Sequence, residues 1–219
     1  MIDIYKASCE NVRELKKQAK VIKRLINQSL RKKRWQDIPA LTNTYALLYS
    51  AFAETAFLKM LHTPYGFPES YIVQVQSQRN LEEKWRKCID LAFQEISTPN
   101  KLGEVANKKL ALVKILDKYI IAPSQIRNKI AHGQWAACLN NSCTSVNPDM
   151  TAKVIDLDYV RVDILFHIYD MFAQTVEDLI ESPHRAHFRY FYPRLVALED
   201  YVEKTAQFSF ELKKEILSN

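Results

Sequence analysis

Val12, Leu15, Ala19, Ile22 and Ile26 are separated by three, four, three and four residues. Val162, Leu165, Tyr169, Phe172, Val176 and Leu179 repeat that rhythm far down the chain. A step of three or four residues returns to the same face of an α-helix, and neither run alternates as a half-buried strand does. Glycine usage points the same way. Only Gly66, Gly103 and Gly133 occur in 219 residues, each between helical patterns, whereas an all-β chain draws on glycine for many of its turns. The expectation is an all-α fold, with residues 1–219 forming a single domain whose core is supplied by 47% hydrophobic residues. No run of 18 apolar residues exists to cross a membrane, and Met1 to Lys20 is too polar and charged for a signal peptide. Four cysteines, Cys9, Cys88, Cys138 and Cys143, make no disulfide framework in a chain this long. A reducing cytoplasm is the simplest home. Cys138 and Cys143 have no neighbouring histidine or second pair, so they read as buried or free thiols rather than zinc ligands.

The spacing predicts a long first helix over residues 10–36, and Pro39 opens a second one at its first position. From Ala40 to Met60 that second helix is apolar almost all round, as a central buried helix is. Glu54 is the only charge between Asp37 and Lys59. A carboxylate there either faces the one exposed strip or needs a cationic partner, for which Arg127 is a candidate. Thr63 to Pro68 breaks the pattern; helices resume over about 80–97 and 102–121, with a turn at Ser97 to Asn100 between them. Residues 134–157 carry turn chemistry, and Trp135–Leu139 and Lys153–Leu157 could pair as a small β-hairpin. Asp158 caps the helix of the second heptad run, Ser182-Pro183 ends it, and the tail is helical with a break near Pro193.

Charge is uneven. Residues 1–36 hold eleven Lys/Arg against three Asp/Glu, a balance of +8 in a chain whose total is +6. Such a concentration suits a polyanionic partner, though it also describes a solvated face. At its end stand Arg31, Lys32, Lys33 and Arg34, followed by Trp35. Basic side chains beside an aromatic hold a phosphate chain and stack a base; alternatively this is a wet helix end whose tryptophan packs inward. A further aromatic and basic run, Phe188 to Arg194, reads as packing or dimer contact, with RNA stacking as its rival.

The most specific stretch is Ile126-Arg127-Asn128-Lys129-Ile130-Ala131-His132-Gly133. Ser124 is placed to cap the start of a short helix and Gly133 to end it. A wider pair, Arg161 and His167, sits on an ordinary heptad-spaced helix. Arg127 to Gly133 resembles the signature of the HEPN superfamily, the higher eukaryote and prokaryote nucleotide-binding helical domains: Arg, four to six residues, then His, often with a polar residue directly after the Arg. That resemblance implies a HEPN-like helical bundle, here with the small hairpin inserted after the motif helix. It further implies a metal-independent endoribonuclease that needs no cofactor and forms a homodimer around one RNA cleft. Toxins and antiviral defence effectors are common in the family, so an antitoxin or defence protein is an implied partner. On that match Arg127 and His132 would be catalytic and Asn128 supporting; Glu54, from its place on the second helix rather than from the resemblance, is a further supporting candidate. Where some family toxins carry a modified tyrosine two residues after the histidine, this chain has Gln134.

The residues themselves suit that chemistry. RNA carries its own nucleophile, so cleavage needs proton transfer and positive charge on the phosphorane. Histidine moves protons near neutral pH, and arginine presents a fork of donors to phosphate oxygens. No Walker loop, nucleophile elbow or carboxylate-rich metal motif is evident. Geometry resists, however. Five residues of ideal helix turn about 500°, leaving the two side chains about 140° apart and about 7.5 Å apart along the axis. A distorted last turn, or a second copy of the motif across a two-fold axis, would relieve this. The rival from another class is a non-catalytic helical module binding RNA or a partner protein through the same groove.

Overall fold

The computed structural model describes residues 2–96, 102–181 and 187–218. Its fold is all-α. The elements are α1 (Ile2–Arg31), α2 (Ile38–Leu61), α3 (Glu69–Gln76), α4 (Leu81–Gln94), α5 (Leu102–Ile115), α6 (Ala122–Ala131), α7 (Pro148–Ile155), α8 (Tyr159–Glu181), α9 (Tyr192–Thr205) and α10 (Phe210–Ser218). Among the described residues no helix is long and apolar enough to cross a membrane. The turn expected at Ser97 to Asn100, the stop at Ser182-Pro183 and the side chain of Phe188 lie outside the described residues.

Three helices form the frame. Tyr45 hydrogen-bonds Asp163, Lys59 hydrogen-bonds Glu177, and Thr63 hydrogen-bonds Glu181. Each pair is separated by 118 positions, so α2 and α8 run parallel in one fixed register. Helix α1 runs against α8, because Lys16 bonds Asp170 at 2.6 Å while Lys23 bonds Asp163 at 2.5 Å. Asp163, Asp170 and Glu177 recur every seven residues, two turns of helix, and each meets a lysine. Thus part of the basic face of α1 is neutralised inside the chain. Stacked and edge-on aromatics join α2, α8 and α4: Phe52 on Phe166 at 4.2 Å, and Trp85 of α4 against Phe57 at 4.7 Å and Phe172 at 5.1 Å. Such pairs contribute about 0.5–1.5 kcal/mol each beyond simple burial. Every member of the Val162 to Leu179 heptad set is buried.

Several boundaries differ from the sequence expectation. Helix α1 starts at Ile2 and stops at Arg31 rather than spanning 10–36. It ends in a Schellman motif: Lys33 N–H bonds the Leu30 carbonyl, Arg34 N–H bonds the Ser29 carbonyl, and Lys33 adopts φ 56°. The short helix α3 was not anticipated. The expected hairpin does not form. Lys153 lies in α7, which Asn147 caps by accepting the Met150 N–H at 3.0 Å, and the loop before it holds a single antiparallel bridge, Leu139 to Val146.

Two wide turns explain how prolines sit inside helical paths. Residues Leu116–Ile121 and His187–Phe191 form π-turns, and Pro123 and Pro193 each follow two positions after them. Proline lacks an N–H and its ring presses on the carbonyl four residues back. Those carbonyls, of Tyr119 and Arg189, lie within the widened turns, where the ladder has shifted; the Ala122 N–H reaches back five residues to Asp117.

Candidate functional site

The motif helix α6 therefore continues from α5 through a π-turn rather than starting at a cap. Ser124 does not cap it; its hydroxyl donates back to the Ile121 carbonyl at 2.7 Å. The far end matches expectation. Gly133 N–H bonds the Ile130 carbonyl, Gln134 N–H bonds the Lys129 carbonyl, and Gly133 has φ 74°. This is a second Schellman motif, with glycine in the left-handed position that α1 gives to a lysine.

His132 is the last half-helical residue, at φ −91° and ψ 17°, and it is solvent-exposed. Its N–H bonds the Asn128 carbonyl at 3.0 Å. Asn128 lies one turn before it on the same face and is also exposed. Among the described residues the His132 ring makes no hydrogen bond or ion pair. Lys129 is committed elsewhere, donating to the Leu139 carbonyl at 2.6 Å. Gln134, two residues after the histidine, accepts the Leu139 N–H through its side-chain oxygen at 2.8 Å, and Trp135 donates to the Ile130 carbonyl at 2.8 Å. The loop is thereby fastened directly behind the histidine.

Arg127 points the other way. It is 6% exposed and reaches the Ser50 carbonyl of α2 at 3.5 Å, long for a hydrogen bond. Its guanidinium lies near the phenols of Tyr49 and Tyr169, whose ionisation burial opposes and the arginine partly eases. Its Nε is buried with no partner among the described residues. The Arg127–Glu54 ion pair does not form: Glu54 is exposed, and the two share only the lining of a cavity of about 440 Å³ with Phe57, Leu58, Gln76, Leu81 and Lys84. Gln76 and Lys84 come from α3 and α4. Nothing local to the motif signals them, because their approach is set by the packing of α4 on α8 through Trp85.

The basic turn is exposed from Arg31 to Arg34. Trp35 does not pack inward; it is 40% exposed, with the Lys214 ammonium 5.2 Å from its ring centre. Trp135 and Pro39 line one cleft, which puts the end of α6 and the start of α2 at the same end of the molecule as this turn. In the other basic run, Arg194 is engaged by Asp178 and Arg189 lies over Tyr190. His167 stands 3.8 Å from Asp163 and beside Tyr201. Cys138 is buried and Cys143 exposed.

Comparisons with models of protein families, with curated proteins and with solved structures find no match to this chain.

Proposed function

We propose that this protein is a metal-independent endoribonuclease whose proton-transfer residue is His132, working as a homodimer of the HEPN kind. The observation that carries the reading is the presentation of His132. Its backbone is pinned by a Schellman motif, its ring is unengaged among the described residues, and Asn128 stands one turn away on the same exposed face. An imidazole held in this way can take a proton from a 2′-hydroxyl or give one to a leaving oxygen. One chain supplies one such group, whereas the reaction needs both a base and an acid; a second copy across a two-fold axis would supply the other. Arg127 in this reading places a fixed charge behind the site, from its buried position against α2. The exposed Arg31–Arg34 turn offers phosphate contacts at the same end of the molecule. A toxin or antiviral defence role, with an antitoxin or defence protein as partner, follows from the family resemblance alone.

The divergence of Arg127 from His132 favours the rival reading, a non-catalytic module that binds RNA or a partner protein. Incubation with RNA in EDTA separates the two. The wild type should cleave, and His132→Ala should lose roughly 10²–10⁴-fold with an unchanged melting temperature. No cleavage by the wild type, or full cleavage by the folded variant, would remove the enzyme reading. Mixing tagged subunits then tests the shared cleft: a heterodimer of wild-type and His132→Ala chains should be nearly inactive, whereas independent sites would retain about half the rate.

A further inference from the structure

The cavity behind α6 has a chemistry separate from that of His132. Phe57, Leu58 and Leu81 give it apolar surface, and Gln76, Glu54 and two cations, Arg127 and Lys84, complete the lining. Arg127 is the unusual member. A guanidinium removed from water is stable only when its charge is compensated and its donors are bonded. Here its contact to the Ser50 carbonyl is 3.5 Å long and its Nε has no partner among the described residues. Lys84 likewise makes no ion pair with the described residues. Glu54, the one carboxylate on the lining, does not engage either cation.

The geometry points to a binding site for a small organic anion in the cavity lined by Phe57, Leu81, Lys84 and Arg127, with the oxyanion on the two cations and an apolar body against Phe57 and Leu81. A volume of about 440 Å³ lies in the range of pockets that enclose small molecules, and an apolar lining with a few convergent polar groups is their usual make-up. Two positive side chains against one negative leave a single net charge, which fits a monoanion best. Arg127 supplies a planar fork for a carboxylate or phosphate ester, Lys84 a mobile point charge. The site is distinct from the exposed face of His132, because the two motif side chains leave α6 in different directions.

Binding is read directly, by calorimetric titration of the full chain without RNA. The probes are phenylacetate, phenyl phosphate and the neutral 2-phenylethanol. Phenylacetate should bind saturably with a dissociation constant of about 1 mM or tighter, with phenyl phosphate weaker and the alcohol not detectable. Lys84→Met, a half-exposed position that leaves the core intact, should weaken phenylacetate about 10-fold or more. Leu81→Trp, which fills the cavity, should abolish binding while the helical circular dichroism is retained. No saturable binding of either anion would overturn the site. So would equal affinity for the alcohol, or binding unaffected by both substitutions. Displacement of phenylacetate by a short single-stranded RNA would assign the cavity to the RNA path instead and defeat the small-anion proposal, whatever the outcome of the cleavage assay.

Discussion

Arg127 and His132 lie five residues apart on one helix, yet the first is enclosed by α2 and the second stands in solvent. That divergence has the sense expected of side chains five residues apart on a helix. The Schellman motif after His132 fixes the end of α6 without swinging the ring back toward Arg127. The motif is therefore divided between an interior cation and a surface imidazole.

The interior half can be tested by stability. Arg127 has a buried charge, and its Nε has no partner among the described residues, so Arg127→Met, similar in length and apolar, should leave the unfolding free energy unchanged or raise it by about 1–2 kcal/mol in urea denaturation. A loss of 3 kcal/mol or more would show that the guanidinium is well paired in solution.

The two Schellman ends predict opposite responses. An L-residue in the left-handed region costs roughly 1–2 kcal/mol, and part of any gain on replacing it with glycine is offset by the freer unfolded chain. Lys33→Gly should raise the melting temperature slightly, corresponding to about 0.5–1 kcal/mol, and Gly133→Ala should lower stability by about 1 kcal/mol. If the glycine variant at position 33 were clearly less stable, the left-handed geometry there would be wrong.

His62 gives a pH signature. It ends α2 in a buried position, and burial lowers its pKa from the ordinary 6.5. The Gln76 amide nitrogen stands 3.3 Å from Nε2. As pH falls below about 6.5 the unfolded chain binds its proton before the folded chain does, so stability present above that pH is lost as pH drops through the folded-state pKa. Equilibrium unfolding at pH 7, 6 and 5 should show this decline, and it should be shallower in His62→Gln. Parallel profiles would mean that burial does not lower the His62 pKa.

For the RNA reading, the basic turn fixes a salt dependence. Neutralising Arg31, Lys32, Lys33 and Arg34 together should reduce the slope of log affinity against log salt by about 3, at roughly 0.7 per phosphate contact on a single strand. An unchanged slope would move the RNA path away from the α1–α2 turn.

The all-α class was written in the chain. The three-four spacing of Val12 to Ile26 and of Val162 to Leu179 names the buried faces of α1 and α8, and Gly133 marks the end of α6, because periodicity and backbone preference act over a few residues and need no partner. That Arg127 and His132 would face different ways was legible for the same reason, since helical spacing acts locally. What only the tertiary structure decided is where each face points. Lys16 and Lys23 read as basic surface in sequence, but the register of α1 on α8 sets them against Asp170 and Asp163. Glu54 read as a partner for Arg127, but Glu54 is exposed and the guanidinium reaches the Ser50 carbonyl of α2 instead. The expected hairpin gave way to α7, where Asn147 and Pro148 start a helix whose Met150 and Val154 are buried. Lys84 and Gln76 joined the cavity through the docking of α3 and α4, a contact between segments far apart in the chain. Short-range chemistry specifies elements and their ends, whereas the pairing of distant side chains depends on the relative placement of whole helices, which no local pattern encodes.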